Sequence, residues 1–265
     1  MNLPPAKKSL GQNFLTCKWA LDTIIDAAHL SMEDTVLEIG PGTGALTRAL
    51  APRVKHVIAM EKDELLAANL KEEFAKKQIT NVDIREGDIL KNIPELPQGY
   101  KIVANIPYYL TARLLRLFLE EQENKPSYIV FMIQKEVAER IVSKPPHENL
   151  LALSVQAFGT PSIIKTVPAT CFSPKPKIDS AIISISDITD NFFTQSHIKP
   201  DALFRIMRLA FSQKRKMLSN SISALIDKPS LIQIFTDLNL NSKTRPEELS
   251  LDQWAQITLR LDINK

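Results

Sequence analysis

Scarcity sets the first limits on this sequence. It holds two cysteines, Cys17 and Cys171, which form neither a CxxC pair nor a disulfide framework, so a thiol redox motif and a disulfide-stapled fold are not expected. Its four histidines, His29, His56, His147 and His197, are scattered without metal-ligand spacing, and no metal is expected. Long apolar runs are missing. The longest, such as 128–133, are too short to span a bilayer, which excludes a membrane partner. No secretory leader is visible, and the first arginine is Arg48, which argues against an Arg-rich transit peptide. A cytoplasmic location is the expectation. Charge of one sign is also lacking: 33 basic against 30 acidic residues give a net +3, which permits a nucleic-acid partner without demanding one.

What is present describes an ordinary globular chain. At 265 residues, with 44% hydrophobic and 24% charged, it exceeds the roughly 100–200 residues expected of one domain. From about 34 to 186, short β-type runs alternate with helical patterns. The strand candidates are TVLEI (35–39), HVIAM (56–60), VDIR (82–85), KIVAN (101–105), YIVFMI (128–133), LSVQAF (153–158) and AIISIS (181–186). Helix-like stretches separate the early ones, a pattern that predicts an α/β fold with a mostly parallel sheet covered on both faces. The last two candidates predict an edge hairpin through the proline-rich stretch 161–176. Beyond Asp190 the segments 201–226, 229–239 and 250–261 show only helical spacing, and Ser250 to Gln253 has the form of a capping box. The division expected is a domain over 1–189 and a small helical domain over 190–265.

The chain has only seven glycines, and three of them, Gly40, Gly42 and Gly44, fall in EIGPGTGALT (38–47). A glycine-rich loop between a strand and a helix is the setting of a nucleotide-binding turn. Glu61 ends the next strand candidate, where an acidic side chain can hold ribose hydroxyls. Asp88 follows the third and Asn105 ends the fourth. In an open parallel sheet such positions converge on one crevice outside the strand C-termini. The glycine spacing is G-P-G-T-G rather than G-x-G-x-x-G, and the helix opens without Lys-Ser/Thr. A pyrophosphate is therefore disfavoured, and a nucleoside without phosphate, such as S-adenosylmethionine, fits better. Asn105-Ile106-Pro107-Tyr108-Tyr109 taken alone reads equally as a turn or as an acceptor beside a flat stacking surface.

Five motifs in order carry a resemblance: KKSLGQNFL (7–15), VLEIGPGTGALT, NIPYY, FSPKPKIDSAI (172–182) and SQKRKML (212–218). With these the chain resembles the bacterial small-subunit ribosomal RNA adenine dimethyltransferases of the kasugamycin-resistance type, over nearly its whole length. The resemblance implies a Rossmann-like, seven-stranded methyltransferase sheet with an edge hairpin, followed by a helical RNA-contacting domain. It implies a monomer that transfers methyl groups from S-adenosylmethionine to the exocyclic amines of two adjacent adenosines near the 3′ end of small-subunit RNA, in a partly assembled subunit. Asn13, Leu15, Gly40, Glu61, Asp88 and Asn105 match the family's cofactor contacts; Asn105, Pro107 and Tyr108 match its catalytic motif, and Phe172 reads equally as a second face for the target base or as a plain core phenylalanine. The basic residues Arg205, Arg208, Lys214, Arg215 and Lys216 lie on or beside its RNA-contacting segment. The family's Lys-x-Tyr-Gly stretch is replaced here by PPHENLLALS (145–154), which leaves the contacts of that loop open.

Other readings stay in view. A large-subunit adenine methylase of the macrolide-resistance type shares the catalytic pattern. A non-catalytic RNA-binding or transcription-accessory relative would share the fold, though the intact Asn105-to-Tyr108 motif argues against it. A cytosine-C5 methyltransferase would need an attacking cysteine, and neither cysteine lies in the crevice motifs.

Overall fold

The computed structural model of the chain describes residues 6–7, 10–213, 216–223 and 225–261. The chain divides into two compact units, one of residues 1–138 with 160–188, the other of 139–159 with 189–265. The helical unit thus takes in a piece of chain, 139–159, that a single linear boundary near 190 would leave in the first domain.

The first unit contains β1 (Phe14–Leu15), α1 (Lys18–Ala27), β2 (Thr35–Ile39), α2 (Ala45–Leu50), β3 (His56–Glu61), α3 (Glu64–Lys76), β4 (Val82–Glu86), β5 (Lys101–Asn105), α4 (Thr111–Arg116), β6 (Tyr128–Gln134), β7 (Thr160–Val167), β8 (Phe172–Ser173) and β9 (Ser180–Ser186). Seven of the strands form one sheet in the order β4-β3-β2-β5-β6-β9-β7. The first five run parallel, while β9 lies antiparallel between β6 and β7. Strands covered on both faces read as unbroken apolar runs rather than alternation. Ile129, Val130, Phe131, Met132 and Ile133 of β6 are accordingly all buried, as are Ile102, Val103 and Ala104 of β5.

Two expectations are corrected. LSVQAF is not a strand: it belongs mostly to a helix, Leu150–Gln156, in the second unit. The Asn149 side chain caps that helix by accepting the Ala152 N–H at 3.1 Å, and Ala152, Leu153 and Val155 face inward. The seventh strand is instead β7, whose ladder with β9 runs from Thr160↔Ser186 to Val167↔Ser180. It is the outermost strand, where a proline near the start (Pro161) is tolerated and most side chains remain exposed, so the apolar signal is weak. The cysteines are the second correction. β1 pairs antiparallel with β8, Leu15 opposite Phe172, which brings Cys17 and Cys171 to a Cα separation of 5.0 Å and into a disulfide. Sequence spacing cannot show this, because 154 positions separate the two cysteines and only the strand register joins them.

The boundary between the units falls within α5 (Lys135–Ile141), which follows β6, and in the second unit α6 is the helix Leu150–Gln156 described above. The rest is helical: α7 (Asn191–Ser196), α8 (Pro200–Phe211), α9 (Leu218–Ser221), α10 (Lys228–Asp237) and α11 (Leu251–Arg260). One face of α8 buries Leu203, Phe204, Ile206, Met207 and Ala210. The reciprocal Ser250–Gln253 capping box opens α11 as the sequence predicts. Among the described residues no helix is long and apolar enough to cross a membrane.

Candidate active site

The strand order reverses between β2 and β5, and parallel sheets bind ligands outside strand C-termini at such a point. A crevice opens there. It is lined by Asn13, Leu15, Gly40, Glu61, Asp88, Asn105, Pro107 and Tyr108, so eight of the nine cofactor- and base-site positions read from the sequence meet in one place.

The turn after β2 forms the floor. Gly40 adopts φ +69°, a backbone conformation that side chains rarely take, and the nearest atom a Cβ there would meet is Pro107 Cδ at 3.9 Å. The floor at Gly40 thus carries no side chain of its own. At Gly42 a Cβ would stand 3.3 Å from the Phe14 ring, so glycine also lets the N-terminal segment lie close over the loop.

Glu61, at the end of β3, is 5% exposed. One carboxylate oxygen accepts the Gly42 N–H and the other the Asp63 N–H, each at 2.9 Å. Burial pushes its carboxyl above the usual range, opposed by these backbone bonds. Each oxygen keeps a further lone pair for a ligand. Asp88 accepts the Leu90 N–H at 3.0 Å and pairs with Lys62 at 2.9 Å; the lysine holds its carboxyl low. Two carboxylates over a bare glycine floor fit the hydroxyls of a ribose and the amine of an adenine.

The segment Leu10–Leu15 covers the crevice. Asp63, the N-cap of α3, receives Lys7 Nζ at 2.9 Å and Gln12 Nε2 at 3.1 Å. Asn105 Nδ2 donates to the Asn13 carbonyl at 3.3 Å, which turns the amide so that no donor among the described residues is bonded to its oxygen. Beyond it Pro107 fixes a φ of −57°, and a single 3-10 turn begins at Tyr108. The Tyr108 hydroxyl bonds Ser180 Oγ at 2.8 Å, and burial raises its pKa.

Phe172 is not brought to the crevice. It is 4% exposed and packs in the core cluster that includes Ile24 and Ile182, with its strand opposite Leu15. In the helical unit Arg205 is exposed, while Arg208 stacks over Phe204 and donates to its carbonyl at 3.1 Å. Lys216 is exposed; Lys214 and Arg215 lie outside the described residues. The crevice also holds Tyr109, named in the NIPYY motif without a role of its own, and Glu38 and Lys62; Asp63 holds the covering N-terminal segment and Ser180 bonds Tyr108, and no role was read from the sequence for these four. Glu38 was legible in principle, as an acid within an otherwise apolar strand run. It is fully buried, and desolvation raises its pKa to about 8.

Residues 5–262 match the family described as ribosomal RNA adenine dimethylase. A "Ribosomal RNA small subunit methyltransferase A" of Dehalococcoides mccartyi (strain CBDB1) is 40% identical over 260 residues, covering 96% of this chain and 88% of that protein. Its counterpart from Rippkaea orientalis is 39% identical and covers 98% of this chain and 99% of the relative. Among solved structures, a dimethyladenosine transferase from Plasmodium falciparum superposes with a TM-score of 0.80 at 26% identity, over 94% of this chain and 95% of that one. The 23S rRNA methyltransferase ErmE, 24% identical with a TM-score of 0.75 over 94% of this chain and all of its own, shares the fold.

Proposed function

Because the chain belongs to the ribosomal RNA adenine dimethylase family, we propose that it dimethylates the exocyclic amines of two adjacent adenosines near the 3′ end of small-subunit (16S) ribosomal RNA. One observation carries the reading. The Asn105 amide oxygen, which accepts from no donor among the described residues, stands beside Tyr108 in the same crevice as Gly40, Glu61 and Asp88.

When bound, S-adenosylmethionine supplies an electrophilic methyl group; the roles assigned below belong to the protein. Glu61 holds the ribose hydroxyls, Asp88 takes the cofactor adenine's amine, and Asn13 and Leu15 close over the site from the N-terminal side. The target amine is a weak nucleophile because its lone pair is delocalised into the ring. Asn105 Oδ1 and the backbone carbonyl of Ile106 accept its two hydrogens, which favours a pyramidal nitrogen with a free lone pair. Pro107 fixes the turn and Tyr108 stacks on the extruded base. Extruding a base costs a few kcal/mol; stacking returns roughly 1–3 kcal/mol. The methylated ammonium is acidic and loses its proton without a strong base. We assign Phe172 to holding β1 in place through β8, as its burial supports, rather than to a second face of the sandwich.

In this reading the protein acts as a monomer in the cytoplasm on a partly assembled small subunit, without a metal. Arg205, Arg208, Lys214, Arg215 and Lys216 engage RNA phosphates. Incubation with methyl-labelled S-adenosylmethionine and under-methylated small-subunit particles should place two dimethylations on adjacent adenosines. Label appearing in large-subunit RNA instead would refute it.

A further inference from the structure

We propose that Ser180 is the positioning residue that holds the Tyr108 ring in place for the incoming base, through the 2.8 Å bond between their hydroxyls. The inference rests on the stacking role given to Tyr108 above and adds how that ring is held.

The two partners differ in rigidity. Tyr108 sits in a three-residue turn, half-buried and open to the crevice. Ser180 is 0% exposed and lies at the start of β9, in register with Gln134 of β6 on one side and Val167 of β7 on the other. The residue before it is fixed as well. The Asp179 carbonyl accepts the Lys135 N–H at 3.0 Å, and its carboxylate accepts the Ala169 N–H at 2.9 Å. A hydroxyl on a strand pinned from both sides thus tethers a ring on a short turn. A free tyrosine side chain can swing about its first torsion, whereas one tied at its far end keeps its long axis aimed at the tether. This matters because a stacking plate must already stand where the base will arrive, or binding must order it first.

The tether makes a test that separates positioning from packing. Ser180→Ala removes one partner and leaves the part-buried Tyr108 hydroxyl without it, which is costlier than losing both partners together. The ring should then turn to bring its hydroxyl to water. Methylation of small-subunit particles should fall by about tenfold in kcat/KM, chiefly through a higher KM for RNA, with S-adenosylmethionine affinity unchanged. Tyr108→Phe, which loses the tether but leaves no hydroxyl stranded, should fall by about threefold. The double variant Ser180→Ala/Tyr108→Phe should recover to the level of Tyr108→Phe, because phenylalanine has no hydroxyl to strand. A merely structural Ser180 would give additive losses in the double variant, and that result, or full activity in Ser180→Ala, overturns the proposal. Tyr108→Ala is the control for the underlying reading. If it is as active as the parent, the stacking role itself fails; if it is impaired while the double variant is additive, only the tether fails.

Discussion

Glu61→Ala tests the cofactor site most directly. The carboxylate touches three things in this account: the Gly42 N–H, the Asp63 N–H and the ribose. A hydrogen bond to a charged group is worth roughly 1.5–3 kcal/mol, and each 1.4 kcal/mol is about tenfold in affinity. Loss of the ribose contact alone should therefore weaken S-adenosylmethionine binding by about ten- to a hundredfold. The fold should suffer less, because two opposing effects accompany the change. Two backbone N–H groups lose their acceptor, which destabilises; a desolvated charge, whose burial raises its own pKa, is removed, which stabilises. Glu61→Gln separates the parts, since it keeps the shape but can accept through only one of its two terminal atoms. The pH dependence has a definite sign. The ribose contact needs the ionised form, and the folded pKa lies above the ordinary glutamate value, so parental affinity should weaken as pH falls toward that raised pKa. The variants should lack this dependence. Isothermal titration calorimetry at two pH values, with a thermal melt to certify folding, measures all of this. An unchanged Kd in a folded Glu61→Ala protein would remove Glu61 from the site.

Asn105→Ala should reduce kcat by about 10²–10³, the scale of one oriented transition-state contact, while cofactor affinity in calorimetry changes little; equal loss in both would make Asn105 a binding residue only. Tyr108→Ala should weaken RNA binding by roughly 1–3 kcal/mol of lost stacking, read as KM for the particle. For Glu38 the folded pKa of about 8 exceeds the ordinary 4.5, so the stability it contributes is present below pH 4.5 and lost as pH rises toward 8. Glu38→Gln should flatten the fall in Tm across that window, and an unaltered pH profile would contradict the buried, protonated side chain. Replacing Lys214, Arg215 and Lys216 together by Ala should lower the slope of log affinity against log salt by about two units, at roughly 0.7–0.9 per phosphate. An unchanged slope on the RNA substrate would move recognition elsewhere.

The sequence makes legible what depends on local pattern. Four of the five parallel strands announce themselves because strands buried on both faces have continuous apolar runs, and the acids and amide that end or follow strands mark the crevice edge. The glycine turn is visible from local pattern too: Gly40 and Gly42 take backbone conformations that side chains rarely adopt. Long-range register is not legible. The pairing of Leu15 with Phe172 decides both the cysteine link and the burial of Phe172, and nothing near either position encodes it. β7 is hidden by its place at the rim, where exposed side chains replace the apolar signal. In LSVQAF a β-branched valine and a phenylalanine suggest a strand, but the Asn149 cap and the Leu-Leu-Ala-Leu start favour a helix. Lys62 lies in no motif, and Ser180 lies in one that does not reveal its bond to Tyr108; their parts come from partners brought close only in the folded chain.

The place of β9 has a consequence for how the protein is made. A nascent chain emerges N-terminus first, and domains fold as their residues become available. The crevice-lining residues all precede position 111, so the cofactor half of the site is complete in sequence long before β9 is translated. Strand β9, however, fills the gap between β6 and β7, both of which precede it. Until Ser186 has left the exit tunnel, those two strands present open edges that invite mispairing. The brace behind Tyr108 arrives with that same closing strand. The residues that line the crevice are therefore translated early, and the strand that braces Tyr108 is translated late.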